Sequence, residues 1–288
     1  MSRSLSASVW LEGLSPAITR VRAQILRAAP HFRMALLLGE RDTGEQAVAH
    51  MLHQLSPVRD RPFVNLAPAD AEVLVARGGS LESLAATGVL YLTHPECFPL
   101  AIQDALLLLT RKSGAHTPSV IAFSQRGLRP AVRAGSFSAE LADSLESIRI
   151  RVPTLRERSE DIPALLSHLI ASIADRTGAP PCQLAPGLLD AARRRPWLGN
   201  LIELRGTAEN LMKNASKNLP NDADCEALFG PPRSEVSLLK LDNVVRRHIL
   251  YVLVTCNGDK ARTAEILGIS RSTLYRMLKH PRTSSQDR

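Results

Sequence analysis

Residues 34–46 are Met-Ala-Leu-Leu-Leu-Gly-Glu-Arg-Asp-Thr-Gly-Glu-Gln, an apolar run followed by a loop with two glycines. The run Met34–Leu38 ends at Gly39 and predicts a short buried strand. The segment Glu45–Leu55 carries apolar residues at helical spacing and predicts an amphipathic helix. A strand that leads through a glycine loop into a helix is typical of an α/β domain.

The same alternation continues to about residue 152. Four more short apolar runs predict strands at 63–66, 89–92, 120–124 and 148–152. Helical patterns are found at 16–29 and 100–109. Strands that alternate with helices predict a parallel sheet with helices on both faces.

After Pro153 the strand patterns stop. Helical patterns follow at 162–177, 186–194 and 201–217, then a stretch rich in turn-forming residues, and then more helices at 241–256, 260–267 and 271–279. We therefore predict five parts: an α/β domain at 1–155, a helical subdomain at 156–217, a linker at 218–237, a DNA-binding domain at 238–280 and a disordered tail at 281–288.

Charge is distributed unevenly along the chain. The net charge is +8, and residues 238–288 contain ten Lys and Arg against four Asp and Glu. A polyanionic partner, double-stranded DNA, is expected at that end. The four cysteines show no metal-binding spacing, so neither a metal site nor a disulfide framework is predicted. No apolar run is long enough for a membrane span, which predicts a cytoplasmic protein.

Residues 260–279 have the spacing of a helix-turn-helix. Ala264 is small where two helices cross, Gly268 permits a positive φ in the turn, and Ser270 can cap the second helix. The predicted DNA contacts are the outward positions Lys260, Arg262, Arg271, Ser272, Thr273, Tyr275, Arg276 and Lys279. The alternative is a plain helical hairpin with a solvated charged face.

An apolar stripe marks the helix predicted at 241–256. It could pack only on the two helices that follow it, or it could also pair two copies of the chain. Pairing is favoured, because one small module contacts few phosphates. We therefore predict a homodimer that binds an inverted-repeat operator.

From Leu11 to Lys279 the chain closely resembles the bacterial enhancer-binding proteins, the AAA+ activators of sigma-54 polymerase with a Fis-type C-terminal domain. The stretches that carry the resemblance are Gly39–Gly44, Arg61–Val64, Pro153–Ile162, Trp197–Leu204 and Leu267–Arg276. The resemblance implies an AAA+-like α/β domain, a helical lid and a Fis-type helix-turn-helix. No sensor-like domain precedes Leu11, so we expect the signal to come from a separate sensor protein or a small ligand.

The chain departs from the family at its nucleotide site. After Gly39 and Gly44, Glu45 stands where a phosphate loop has Lys, and Gln46 stands where a hydroxyl holds Mg²⁺. Each like-charge unit beside a triphosphate costs roughly 4 kcal/mol at about 4 Å and an effective dielectric of about 20. Thr93 and His94 replace the Asp-Glu pair of the second acidic motif.

Further family positions are also changed. The sensor Asn falls on Gln125, the two arginine fingers on Ser138 and Ser144, and the lid arginine on Ile202. These departures predict that the chain is not an enzyme and has no catalytic residue and no cofactor. Three uses of the glycine loop remain open: a structural turn, a pocket for another ligand such as the cyclic di-GMP that some relatives bind on this domain, and ATP binding without hydrolysis.

The sequence thus predicts a sequence-specific transcriptional regulator. Between Phe63 and Val89 the chain is about 20 residues shorter than the family, which carries its sigma-54-contacting loop there. This predicts action at housekeeping-sigma promoters, with RNA polymerase as a partner. The alternatives are a sigma-54-dependent activator ATPase, a regulator that responds to a cyclic dinucleotide, and an architectural DNA-binding protein.

Overall fold

The computed structural model describes residues 10–76, 88–111, 117–182, 184–214 and 260–279, together with Val245, Ile249, Val252 and Leu253. The chain divides into two compact units, Met1–Pro231 and Pro232–Arg288. The predicted linker at 218–237 and tail at 281–288 lie outside the described residues, as does most of the helix predicted at 241–256.

The first unit contains a five-stranded sheet. Its strands are β1 (Met34–Leu38), β2 (Phe63–Leu66), β3 (Val89–Thr93), β4 (Ser119–Ser124) and β5 (Arg149–Arg151). The strand order is β2-β3-β4-β1-β5, and every pairing is parallel. The predicted parallel sheet is thereby confirmed, with β1 in an interior position between β4 and the edge strand β5.

Helices cover both faces of this sheet. They are α1 (Pro16–Ala28), α2 (Glu45–Gln54), α3 (Pro68–Ala76), α4 (Leu100–Arg111), α5 (Arg129–Arg133) and α6 (Ala139–Leu145). Alternate residues of β1 enter different apolar clusters: Leu37 packs with α1 and α2, and Leu36 packs with α4 and α6. A strand buried on both faces has a continuous apolar sequence, which is why β1 shows no polar alternation.

The helical subdomain follows β5. A 3₁₀ segment at Leu155–Asp161 leads into α7 (Ile162–Thr177), α8 (Pro186–Arg194) and α9 (Asn200–Asn214). Trp197 is fully buried among these helices, and its indole N–H donates to the carbonyl of Ala192 at 2.7 Å. A buried Trp with its polar group satisfied anchors the subdomain.

The second unit contains α10 (Lys260–Ile266) and α11 (Arg271–Lys279). Their core is formed by Ile249, Ala264 and Leu274, with Val245 packed against it. Val252 is also buried, at 6% exposure. The chain itself therefore covers at least part of the apolar stripe, and pairing of two copies stays a prediction.

Two kinds of feature are absent from the described residues. None of the helices there is long and apolar enough to cross a membrane. That part of the chain also contains no group of three or more His, Cys, Asp and Glu side chains placed to hold a metal ion.

Candidate functional site

The glycine loop lies at the carboxyl end of β1 and begins α2. Gly44 caps this helix with a φ of 103°, a left-handed conformation that glycine adopts without strain. The Thr43 side chain is 1% exposed, and its hydroxyl donates to the carbonyl of Glu40 at 3.0 Å. The sequence pattern thus forms the expected turn between strand and helix.

Glu45 folds back onto this loop. Its Oε2 accepts the backbone N–H groups of Thr43 and Gly44, both at 3.1 Å, and lies 3.4 Å from Thr43 Oγ1. Burial raises the pKa of Glu45, and the charge of Asp42 acts in the same direction, whereas the backbone N–H groups lower it. Backbone N–H groups at a helix start are where phosphate binds in phosphate loops, so a carboxylate now holds that position.

Gln46, the next residue, is exposed and has no hydroxyl to offer a divalent cation. With the Glu45 carboxylate on the loop N–H groups as well, the loop in this arrangement does not fit a magnesium-bound triphosphate. A nucleotide must first displace the Glu45 side chain.

Thr93 ends β3 and His94 follows it, at the same edge of the sheet. His94 has a φ of 52°, and its Nε2 lies 2.9 Å from Nη2 of Arg41. Because a guanidinium only donates, Nε2 must accept, which leaves the proton on Nδ1. That nitrogen lies 3.5 Å from Oε1 of Glu96, a carboxylate that the sequence motif did not include.

The helical subdomain holds the glycine loop from the other side. The Asn200 side-chain amide donates to Glu40 Oε2 at 3.2 Å and to the carbonyl of Arg41 at 3.0 Å. Arg156 forms an ion pair with Glu40, which lowers the pKa of that carboxyl. The N–H of Leu201 donates to the carbonyl of Asp42 at 2.8 Å. The loop is therefore fixed by both subdomains.

Arg158 is a buried side chain that joins three segments. It is 1% exposed and donates to the carbonyls of Trp10 at 2.7 Å and Thr43 at 2.9 Å. Burial lowers its pKa to about 10, and Asp161 acts in the opposite direction. In the sequence, the Pro153–Ile162 stretch only carries part of the family resemblance. Nothing in its pattern indicates that Arg158 reaches the glycine loop.

The other changed family positions have local roles or lie on the surface. Ser138 accepts the N–H of Leu141 and caps α6, and Ser144 donates to the carbonyl of Glu140 within that helix. Gln125 is exposed, and Ile202 is 53% exposed. None of these four side chains carries a charge that could act on a phosphate.

The predicted DNA-binding face is arranged around α10 and α11. Gly268 has a φ of 63°, and the hydroxyl of Ser270 accepts the N–H of Thr273 at 3.1 Å, as expected for the turn and the cap. Lys260 and Arg262 are exposed on α10. On α11, Arg271, Ser272 and Tyr275 are exposed, and the Lys260 ammonium lies 4.9 Å from the Tyr275 ring centroid.

Thr273 is less available than predicted. It is half-buried, and its hydroxyl lies 2.8 Å from Ser270 Oγ, as does that of Ser272. These hydroxyls form one cluster at the helix start. Arg276 and Lys279 lie on α11, and their side chains are outside the described residues.

Three family models match consecutive parts of the chain. They are a sigma-54 interaction domain at residues 13–155, an AAA+ ATPase lid domain at 156–229 and a bacterial regulatory protein domain of the Fis family at 240–280. Together they agree with the resemblance stated from the sequence motifs.

Curated relatives and a solved structure agree with these matches. The C4-dicarboxylate transport transcriptional regulatory protein DctD of Pseudomonas aeruginosa is 32% identical over 93% of this chain and 63% of its own length. A signal-transduction and transcriptional-control protein of Clostridium beijerinckii is 28% identical over 93% of this chain and 48% of its own length. The crystal structure of NtrX from Brucella abortus in complex with ATP is 26% identical, with a TM-score of 0.64, over 93% of this chain and 68% of that one. The chain thus spans about half to two thirds of the length of these proteins.

These matches overturn the prediction that the chain is not an enzyme. The model over 13–155 describes a sigma-54 interaction domain, and the solved neighbour holds ATP, which points to an ATPase. The matches also favour the sigma-54-dependent alternative over action at housekeeping-sigma promoters. The prediction was wrong because it took the loss of individual side chains as the loss of the whole function.

Proposed function

Because the chain belongs to the bacterial enhancer-binding protein family, we propose that it binds specific DNA sites and acts on sigma-54 RNA polymerase through its ATPase-type unit. The observation that carries the proposal is the module of α10 and α11, with Lys260, Arg262 and Arg271 exposed around a capped helix start. The family supports the nucleotide and polymerase parts of the proposal.

The start of α11 is the part of the module that would enter the major groove. Arg271 is the first residue of this helix and is exposed, and Tyr275 lies one turn further on. An arginine at this position can bind a guanine through two hydrogen bonds. Lys279 lies eight residues later on the same helix, and we assign it a phosphate contact rather than a base contact.

Binding measurements with two variants test this assignment. Arg271→Ala should weaken specific binding by about 1–3 kcal/mol while leaving binding to random duplex largely unchanged. Lys279→Ala should weaken binding to both duplexes alike and lower the salt slope by about one. The control is Arg27→Ala, which removes an exposed arginine of the first unit. Equal affinities for wild type, Arg271→Ala and Lys279→Ala would show that a different face of the module binds the groove.

The polymerase part needs a separate experiment. Transcription reconstituted with sigma-54 holoenzyme or with housekeeping holoenzyme should respond to the protein only in the first case. Release of inorganic phosphate from ATP should accompany that response. A response confined to the housekeeping enzyme would contradict the proposal.

Pairing of two chains on an inverted-repeat operator is also part of the proposal. One module covers few phosphates, so two are needed for tight specific binding. Sedimentation of the full chain with operator DNA, compared with the same chain alone, should show two protein copies per duplex. A single copy bound tightly to one inverted repeat would exclude pairing.

A further inference from the structure

We propose that the Glu45 carboxylate is a built-in competitor for the anion site of the glycine loop, so that a phosphate group binds there only after this side chain has moved away. The inference rests on the proposed function in that the first unit binds a nucleotide. It adds a way in which this chain's own sequence regulates binding at the glycine loop.

The geometry shows a filled site. Oε2 of Glu45 accepts two converging N–H groups, from Thr43 and Gly44, at 3.1 Å each. These donors lie directly before the first turn of α2, where the helix dipole adds a positive potential. A carboxylate and a phosphate need the same donors, so the two cannot bind there at once.

The surroundings hold the carboxylate without neutralising it. Asp42 is close enough for its charge to raise the pKa of Glu45. The nearby guanidinium of Arg158 donates to the carbonyls of Thr43 and Trp10. An incoming phosphate would therefore add negative charge beside two carboxylates as long as Glu45 stays in place.

A second buried group near Glu45 could serve an incoming anion. Tyr91 on β3 is 2% exposed, and its hydroxyl has no hydrogen-bond partner among the described residues. Burial raises the pKa of Tyr91, and the charge of Glu45 raises it further, so the two side chains lie within electrostatic reach. A buried hydroxyl without a hydrogen-bond partner costs free energy. After Glu45 has moved away, the Tyr91 hydroxyl could donate a hydrogen bond to an anion in its place.

Two substitutions distinguish the effect of an oxygen that occupies the loop N–H groups from the effect of the negative charge of Glu45. Glu45→Ala removes the carboxylate and frees both N–H groups. Glu45→Gln keeps an oxygen that can accept them but removes the negative charge. Nucleotide affinity should therefore rise in the order wild type, Glu45→Gln, Glu45→Ala.

The experiment measures binding of ADP with Mg²⁺ to the full-length chain by isothermal titration, with adenosine as a ligand that lacks phosphate. The matched control is Glu72→Ala, an exposed glutamate on α3. Glu45→Ala should bind ADP at least tenfold more tightly than wild type, with adenosine affinity unchanged. Thermal unfolding followed by tryptophan fluorescence checks that each variant is folded, and Glu45→Gln serves if Glu45→Ala is not.

The outcomes are distinguishable. If wild type and Glu45→Ala bind ADP equally, the competitor is excluded, while nucleotide binding by the first unit stands. If neither folded protein binds ADP, both the competitor and the nucleotide part of the proposed function are excluded. If Glu45→Ala gains affinity for adenosine as much as for ADP, the side chain does not act at the phosphate position and the inference is overturned.

Discussion

Asn200 connects the helical subdomain to the glycine loop, and its replacement by Ala should destabilise the first unit. The residue is 1% exposed, and its side chain donates to Glu40 and to the carbonyl of Arg41. Its Oδ1 also accepts the N–H of Leu155 at 3.1 Å. Three hydrogen bonds, one buried and two partly buried, are therefore lost at once.

The expected loss follows from these contacts. Each neutral hydrogen bond contributes about 0.5–1.5 kcal/mol, and the bond to the Glu40 carboxylate lies near the upper end because it is charged, although that group is partly solvated. Asn200 also has a φ of 47°, where Ala costs about 1–2 kcal/mol and glycine adopts the conformation freely. We expect a loss of about 3–5 kcal/mol for Asn200→Ala and about 1–2 kcal/mol less for Asn200→Gly.

Urea unfolding followed by tryptophan fluorescence measures this loss. Both tryptophans, Trp10 and Trp197, lie in the first unit, so the signal reports that unit alone. The control is Asn65→Ala, an exposed asparagine on β2, which should change stability by less than about 0.5 kcal/mol. A loss of under about 1 kcal/mol for Asn200→Ala would refute the reasoning from hydrogen bonds. Equal losses for the Ala and Gly variants would refute the reasoning from backbone conformation.

Four further predictions concern two glycines, Glu45 and the second unit. Gly206 lies inside α9 with open space where a Cβ would stand, so Gly206→Ala should stabilise the first unit by about 0.5–1 kcal/mol. Gly268 has a φ of 63°, which alanine adopts only with strain, so Gly268→Ala should lower the melting temperature of the second unit. Burial raises the folded-state pKa of Glu45 above 4.5, so its ionisation costs stability as the pH rises from 4.5 through the raised value. Glu45→Gln avoids that cost, and its advantage in urea unfolding should be larger at about pH 8 than at about pH 4; a constant difference would contradict this. Removal of residues 238–288 should abolish the DNA mobility shift and leave the tryptophan-monitored unfolding transition in place, and a truncated chain that still shifts promoter DNA would locate the main site elsewhere.

The sequence predicted the regular core of the molecule well. The five strands and α7, α8 and α11 match their predicted bounds closely, because continuous apolar runs and clear helical periods depend little on distant contacts. The helices α3, α5 and α6 were missed. Five and seven residues are too few for α5 and α6 to show a period, and the apolar residues of α3 form no helical stripe. Ser138, two residues before Glu140, was the available capping signal for α6.

The site was predicted less completely. The motif comparison found that Glu45 replaces a lysine, but the direction of its side chain depends on the φ of Gly44 and on nearby N–H groups. Glu96 was missed because it lies two residues beyond the position that the motif specifies. The prediction that the chain is not an enzyme failed for a different reason. It added up the effects of single changed residues and did not weigh the similarity of the whole domain to known proteins.

Asp161 has a consequence for the time course of folding. It accepts the N–H groups of Leu14 and Ser15 at 2.9 and 3.0 Å and the Ser15 hydroxyl at 2.6 Å, across 146–147 residues of chain. On a ribosome, the segment before α1 leaves the exit tunnel long before Asp161 has been made. The amino-terminal segment must therefore wait, with its polar groups solvated, until most of the first unit has been synthesised. A nascent chain stalled before residue 161 should leave this segment open to proteases, and one stalled far enough beyond residue 161 for Asp161 to have left the tunnel should protect it.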